Sequence, residues 1–368
     1  MFEEYRLRNY NFKLLLLVLA AIVFGSLMIN SADNSYLKKQ IAGAVICVIG
    51  MIVLSLINYK LICKIYMILY VINIILLVAV KVNGIVVNNA RRWLGVKNVL
   101  MIQPSEFSKI IMIICAAYFL ADHKDSINTA KTLIQYAILC AVPLLLIVSQ
   151  PDLSTTIDIF VILFVMLFIA GLSYKIILIG ALCLIPLAGS FLWYIKQPDP
   201  LFLQEYQRNR ILSHLYPEDY GETMDQQNNS IMAIGSGQLT GKGFNNSTLA
   251  TVKDANFISE QQTDFIFSVV GEELGFVGSS ILVVILGLIV LQCNRVARKA
   301  NDEKGMLIAT GVTTLIGFQT FINIGVATSL LPNTGIPLPF ISYGLSSLVT
   351  CCAGIGLVIN ISLQRRKY

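Results

Sequence analysis

Apolar segments about as long as a membrane is thick alternate with short polar connectors along most of this chain. A membrane-spanning helix needs about 20 mostly apolar residues, and ten stretches meet that criterion. They lie near residues 12–30, 41–58, 65–81, 103–120, 132–149, 153–171, 175–195, 265–292, 306–328 and 344–362. The pattern predicts an all-α polytopic membrane protein with about ten transmembrane helices, forming a single integral membrane domain over residues 1–368.

Composition agrees with this prediction and excludes an ordinary soluble protein. Of the 368 residues, 56% are hydrophobic and only 13% are charged, and the mean hydropathy is +0.73. The net charge of +6 is spread over short connectors and forms no basic patch, which argues against a nucleic-acid partner. The first apolar run lacks a small-residue cleavage site, so we expect it to be the first span rather than a signal peptide.

The distribution of Lys and Arg predicts the orientation. Short cytoplasmic loops carry more of these residues than outer ones, and the excess falls on the inner side if the N-terminus is cytoplasmic. We therefore expect cytoplasmic N- and C-termini. The long polar stretch 196–264 then becomes an extracytoplasmic loop between spans 7 and 8.

One short outer loop contradicts the charge rule. Arg91, Arg92 and Trp93 lie there, so the two cations are candidates for holding an anion. An alternative is that they contact lipid phosphates, with Trp93 as an interfacial anchor.

Charged residues also occur at the ends of predicted spans. Glu106 and Lys109 are three residues apart and share a helical face, so inside a membrane we expect them to pair and face the bundle interior or a water-filled cavity. The alternative is that the pair only orients helix packing. Asp152 follows Pro151 in a tight outer turn, where it either caps the next helix or acts directly.

The end of the long loop has the strongest signal for a site. The carboxylates Asp264, Glu272 and Glu273 lie where a new apolar segment begins. Burying a carboxylate at such a boundary costs free energy, so its presence there indicates a functional site. Glycines around Lys242 would let backbone N–H groups approach a phosphate. Residues 331–344 contain three prolines and two glycines; such backbone cannot face lipid, and we expect a re-entrant segment that lines the site.

Several motifs in this order resemble the SEDS family (shape, elongation, division and sporulation), the bacterial membrane proteins that include RodA, FtsW and SpoVE. They are Ala90-Arg91-Arg92-Trp93-Leu94, Gln103-Pro104-Ser105-Glu106, Gln150-Pro151-Asp152-Leu153-Ser154-Thr155-Thr156, Ala233-Ile234-Gly235-Ser236-Gly237, Thr263-Asp264-Phe265-Ile266-Phe267, Glu272-Glu273-Leu274-Gly275 and Gly335-Ile336-Pro337-Leu338-Pro339-Phe340-Ile341-Ser342-Tyr343-Gly344. Gly241-Lys242-Gly243 and Ile336-Pro337-Leu338-Pro339 lean slightly towards the elongation (RodA) type. Leu345 stands where the family usually has a second glycine.

The resemblance implies a peptidoglycan glycosyltransferase that polymerises lipid II at the outer face of the bacterial cytoplasmic membrane. It would serve elongation, division or sporulation, with a class B penicillin-binding protein, other cell-wall synthesis machinery and membrane lipids as partners. It makes Asp264 the catalytic carboxylate, acting as a base. A divalent cation, Mg²⁺ or Mn²⁺, bridging Asp264 and the diphosphate is compatible with hard-cation chemistry.

The remaining expected site residues have two roles. Those expected to bind substrate or its diphosphate are Arg91, Arg92, Trp93, Lys109 and Lys242. Those expected to support the site or line its cavity are Glu106, Asp152, Glu273, Pro337 and Ser342.

Two other functions fit part of the sequence. A flippase for lipid-linked precursors would also bind polyprenyl lipid and bury charges, although transporters often show inverted repeats and no convincing internal repeat is evident here. A scaffold that only recruits a penicillin-binding protein would need no chemistry, and Asp264 would then be a helix cap.

Overall fold

The computed structural model describes residues 9–87, 90–96, 100–197, 205–216, 221–246, 258 and 260–364. Its helices are α1 (Phe12–Ala32), α2 (Leu37–Leu56), α3 (Tyr59–Lys64), α4 (Tyr66–Asn83), α5 (Pro104–Asp122), α6 (Ala130–Val148), α7 (Leu153–Ile169), α8 (Tyr174–Ile195), α9 (Glu205–Leu215), α10 (Gly221–Ser236), α11 (Ile266–Arg298), α12 (Glu303–Ala327) and α13 (Leu345–Leu363). Its strands are β1 (Ile85–Val87), β2 (Ala90–Val96) and β3 (Leu100–Ile102).

Each of the ten predicted spans coincides with a helix. Eight helices in the described chain are long and apolar enough to cross a membrane, namely α1, α2, α4, α5, α6, α11, α12 and α13. The other two predicted spans form α7, which has 17 residues, and α8, which has 22. This is the architecture of a polytopic membrane protein.

The two largest differences from the predicted boundaries arise because charged residues belong to the helices. α2 begins at Leu37 rather than 41, since a 3-10 turn leads directly into a first helical turn that contains Lys38 and Lys39. α11 continues to Arg298 rather than 292, and its last turn carries Arg295 and Arg298. Cations there interact favourably with the negative end of the helix dipole.

The centre of the bundle lies around α5 and α13. About 72% of the apolar window of α5 and 83% of that of α13 is buried, against 17% for α4. α13 packs against α2, and α12 packs against α5, α7 and α11. The lipid-facing surface is consequently supplied by helices such as α4, and the polar ends of α5 and α13 meet inside the protein.

The strands form a small antiparallel sheet between α4 and α5, in the order β1-β2-β3. Val87 pairs with Ala90, and Leu94 pairs with Ile102. Residues 328–344, after α12, have no regular structure except turns, and Leu338, Phe340 and Ile341 within them are at most 2% exposed. This buried irregular backbone agrees with the predicted re-entrant segment.

Helix α11 is interrupted at Gly275, which has φ 64°. The backbone N–H groups of Phe276 and Val277 donate to the carbonyls of Gln238 and Leu239. The N–H groups of Lys242 and Gly243 donate to α11 carbonyls, at 3.0 Å each. We expected the backbone N–H groups of this glycine-rich loop to approach a phosphate. Two of them instead donate to carbonyls of α11 next to its interruption.

Candidate active site

A cavity of about 490 Å³ lies where the sheet, the re-entrant segment and the end of the long polar stretch meet. It brings together residues that are far apart in the chain. Among the expected site residues, those that line it are Arg92, Trp93, Glu106, Lys109, Asp152, Asp264 and Pro337.

The segment that carries Asp264 is held by hydrogen bonds from two other elements. The Asn323 amide of α12 donates to the Asp264 carbonyl at 2.8 Å. Ser342 Oγ donates to the Thr263 carbonyl at 2.5 Å, and the backbone N–H of Tyr343 donates to Gln262 at 2.9 Å. Ser342, one of the expected site residues, therefore joins the re-entrant segment to the residue before Asp264.

Burial raises the pKa of the Asp264 carboxyl from its ordinary value to about 6. The nearby Arg210 cation opposes this rise most strongly, the Glu260 carboxylate adds to it, and Arg92 opposes it more weakly. The carboxyl is therefore ionised at neutral pH but more basic than an exposed aspartate. Such a pKa suits a group that accepts a proton during catalysis.

Arg92 is fixed to the turn between α6 and α7. Its guanidinium donates to the carbonyls of Gln150 and Pro151 and lies 3.9 Å from Asp152 Oδ1. Asp152 also caps α7 through the N–H of Thr155. Asp152 thus caps α7, as one of its two expected roles requires, and also contacts Arg92.

The Glu106–Lys109 pair is formed and extended. Lys109 Nζ lies 2.8 Å from Glu106 Oε1 and 3.1 Å from Asp158 Oδ2, and Gln319 Nε2 donates to Asp158 at 2.7 Å. All three charged residues are at most 5% exposed. Because Lys109 is engaged by two carboxylates, its position favours holding α5 and α7 together at the cavity floor.

Three expected site residues lie elsewhere. Arg91 is exposed and donates to the carbonyls of Lys81 and Val82 at the end of α4. Lys242 Nζ lies 2.7 Å from Glu272 Oε1, and Glu273 accepts a hydrogen bond from Ser31 of α1. These positions fit structural roles and do not support the predicted diphosphate contacts of Arg91 and Lys242 or a cavity-lining role for Glu273.

Sequence reasoning missed Asn323 and Arg210. A lone amide within an apolar span gives no indication that its partners are two distant carbonyls. Arg210 lines the cavity from α9, a helix inside the long polar stretch whose path the sequence did not predict. The signal available for Arg210 was an arginine pair on a short polar helix, Arg208 and Arg210.

The side chains available as metal ligands determine whether the cavity can hold the expected divalent cation. In the described part of the chain, no three His, Cys, Asp or Glu side chains converge on one point. Mg²⁺ is commonly held by one or two carboxylates together with substrate phosphates, so Asp264 and diphosphate oxygens are a fitting set. The cation stays a prediction.

Comparisons with known proteins identify the family of this chain. Residues 7–367 match the FtsW/RodA/SpoVE family, described as cell cycle protein. The peptidoglycan glycosyltransferase MrdB of Escherichia coli K12 is 34% identical over 360 residues, covering 96% of this chain and 93% of MrdB.

Solved structures give the same result. One comes from work titled "Structural coordination of polymerization and crosslinking by a peptidoglycan synthase complex"; it has TM-score 0.80 and 27% identity, over 96% of this chain and 97% of the other. The rod shape determining protein RodA of Thermus thermophilus has TM-score 0.70 and 26% identity, over 98% of each chain. The chain belongs to the FtsW/RodA/SpoVE family.

Proposed function

We propose that this protein is a peptidoglycan glycosyltransferase that polymerises lipid II into glycan strands. The observation that carries the proposal is the position of Asp264, a carboxylate in a cavity that also contains the cations Arg92 and Arg210. The similarity to MrdB, named a peptidoglycan glycosyltransferase, supports the same activity.

The reaction joins an acceptor sugar hydroxyl to the anomeric carbon of a lipid-linked donor. The bond from that carbon to the diphosphate oxygen breaks, and polyprenyl diphosphate leaves with the electron pair. Asp264 accepts the hydroxyl proton as the new bond forms, a role for which a pKa of about 6 is well matched. Cations that face the leaving diphosphate stabilise the charge that develops on it.

The other cavity residues position these groups. Asp152 and the α6–α7 turn fix the Arg92 guanidinium, and Trp93 and Pro337 line the space around the substrate. Glu106, Lys109 and Asp158 hold α5 and α7 in register below it. If Mg²⁺ or Mn²⁺ is bound, it supplies further positive charge to the diphosphate, with Asp264 as its protein ligand.

We place the cavity on the extracytoplasmic side of the cytoplasmic membrane, with both termini in the cytoplasm. The excess of Lys and Arg on the opposite connectors supports this orientation. The lipid tail of the substrate would lie among the spans and membrane lipids while the sugars react outside them.

We further propose a class B penicillin-binding protein as partner, alongside other cell-wall synthesis machinery. The chain resembles a structure from work on a peptidoglycan synthase complex that coordinates polymerisation and crosslinking. A glycan polymerase needs such a transpeptidase nearby, because new strands must be crosslinked as they leave the cavity.

The test is a polymerisation assay with purified lipid II, run with and without a co-purified class B penicillin-binding protein. Wild-type protein should give a ladder of glycan products on a gel, and Asp264→Ala should give none while it still folds and binds the partner. If no ladder forms under either partner condition while lipid II is still bound, the glycosyltransferase assignment is wrong and the flippase becomes the better reading.

A further inference from the structure

Arg210 projects from outer helix α9 to the same point as the catalytic carboxylate. A Cβ atom placed on Gly335 would lie 3.2 Å from Asp264 Oδ2 and 3.9 Å from Arg210 Nη1. Gly335 has φ 72°, so the chain turns there in a conformation that favours glycine. The absent side chain leaves room beside both charged groups.

Arg208, two residues earlier on the same helix, has a different task. Its Nε donates to the carbonyl of Ile195 at 2.9 Å, which fastens α9 to the end of α8. Residues two apart are separated by about 200° around a helix, so the two arginines leave α9 on opposite sides. One anchors the helix and the other enters the cavity.

Arg92, the other arginine that lines the cavity, is held at the α6–α7 turn. Arg92 is bound to the carbonyls of Gln150 and Pro151 and lies near Asp152, so much of its hydrogen-bonding capacity is directed at the α6–α7 turn. Arg210 lies beside Asp264 at Gly335, inside the cavity. A guanidinium offers a planar fork that fits two phosphate oxygens at once.

We infer that Arg210 binds the diphosphate of the lipid-linked donor and stabilises it as it leaves, next to Asp264. This inference rests on the proposed function, because it assigns the leaving-group subsite of that reaction. α9 then does more than cover the cavity: it contributes a residue that contacts substrate. The position of α9 thereby determines whether the site is complete.

The inference is tested by binding, without turnover. Geranylgeranyl diphosphate and geranylgeraniol serve as probes, titrated calorimetrically into detergent-solubilised full-length protein at one fixed Mg²⁺ concentration. The quantity compared is the affinity for the diphosphate divided by that for the alcohol, which cancels losses of folded protein. The variants are Arg210→Ala, Arg210→Lys and the matched control Arg208→Ala.

We expect Arg210→Ala to reduce the preference for the diphosphate roughly tenfold or more, the usual effect of losing hydrogen bonds to a charged group. Arg210→Lys should retain part of it, since an ammonium keeps the charge but lacks the fork. Arg208→Ala should keep the wild-type preference, even if its melting temperature is lower. An unchanged preference in Arg210→Ala, an equal loss in Arg208→Ala, or no diphosphate preference in the wild type would each overturn the inference.

A pH profile of polymerisation separates diphosphate binding from an effect through Asp264. If Arg210 acts only by stabilising the Asp264 carboxylate, Arg210→Ala shifts the acidic limb of the profile upward and leaves diphosphate binding intact, which contradicts the inference. Failure of the proposed function has a different signature: wild-type protein would make no glycan from lipid II, yet retain Arg210-dependent diphosphate binding.

Discussion

The Asn323 side-chain amide donates to two backbone carbonyls at once, that of Asp264 and that of Ile336, each at 2.8 Å. Asn323 lies on α12 and is 1% exposed. One buried residue of a spanning helix therefore joins the segment that carries Asp264 to the re-entrant segment that lines the cavity. The position of the Asp264 carboxylate depends on this connection.

Replacing Asn323 by Ala should lower both stability and activity. Two carbonyls lose their donor, and each buried unsatisfied group costs about 1–3 kcal/mol. Because the reacting groups then lose their alignment, we expect lipid II turnover to fall at least about tenfold. Thr320→Val is the matched control, since among the described residues the Thr320 hydroxyl bonds only within its own helix, to Ile316. Normal turnover and melting temperature in Asn323→Ala would refute this positioning role.

Substitutions of the buried charges on α5 and α7 should destabilise the protein to different extents. Lys109→Met leaves the Glu106 and Asp158 carboxylates without their shared cation, and breaking a buried pair in this way costs about 3–5 kcal/mol. Glu106→Gln should cost less, because Asp158 remains 3.1 Å from Lys109 Nζ. Thermal unfolding in detergent measures both.

The control for this ranking is Lys124→Met, which removes an exposed pair with Glu303. Exposed pairs of this kind contribute little to stability because water and salt screen them, so the melting temperature of Lys124→Met should stay close to that of the wild type. Equal melting temperatures for Lys109→Met and Lys124→Met would show that the buried cluster does not hold the helices together.

Gly335→Ala should impair activity by intruding beside Asp264. The new Cβ would lie 3.2 Å from Asp264 Oδ2, and the left-handed backbone adds about 1–2 kcal/mol of strain. We expect reduced lipid II turnover together with a lower melting temperature. Gly287→Ala, on α11, is the control, because a Cβ there meets no described atom within 4 Å. The prediction fails if the two variants are equally active.

Asp264→Asn should stabilise the protein at neutral pH while it abolishes turnover. Burial raises the folded-state pKa of Asp264 from 3.8 to about 6, so between these values the native state binds more protons than the unfolded state. Stability is therefore lost as pH rises through this window, and the whole penalty is present above it. Removing the charge should raise the free energy of unfolding by about 3 kcal/mol.

The pH dependence supplies the control for that variant. Below about pH 3 the wild-type carboxyl is protonated in both states, so the advantage of Asp264→Asn should disappear. A gain in melting temperature that is the same at acidic and neutral pH would have to come from packing rather than from the charge.

The sequence predicted the helices and the centre of the site, because both depend on patterns that are local in the chain. Apolar runs of spanning length specify the helices, and Glu106 and Lys109 are three residues apart on one turn. The partners of Asn323, Lys242 and Arg91 could not be predicted in this way. Lys242 meets Glu272 thirty positions later, and Arg91 and Asn323 bind backbone carbonyls, which every residue offers. Such contacts arise only when the segments pack together.

The most direct test of the account is the rate of lipid II polymerisation from about pH 5 to about pH 8, for the wild type and Asp264→Asn, with folding checked at each pH. If the ionised Asp264 carboxylate takes the hydroxyl proton, wild-type kcat/KM falls below about pH 6, and folded Asp264→Asn makes no glycan at any pH. A wild-type rate that is flat across this range, or glycan ladders from folded Asp264→Asn, would contradict the assignment of Asp264 as the base.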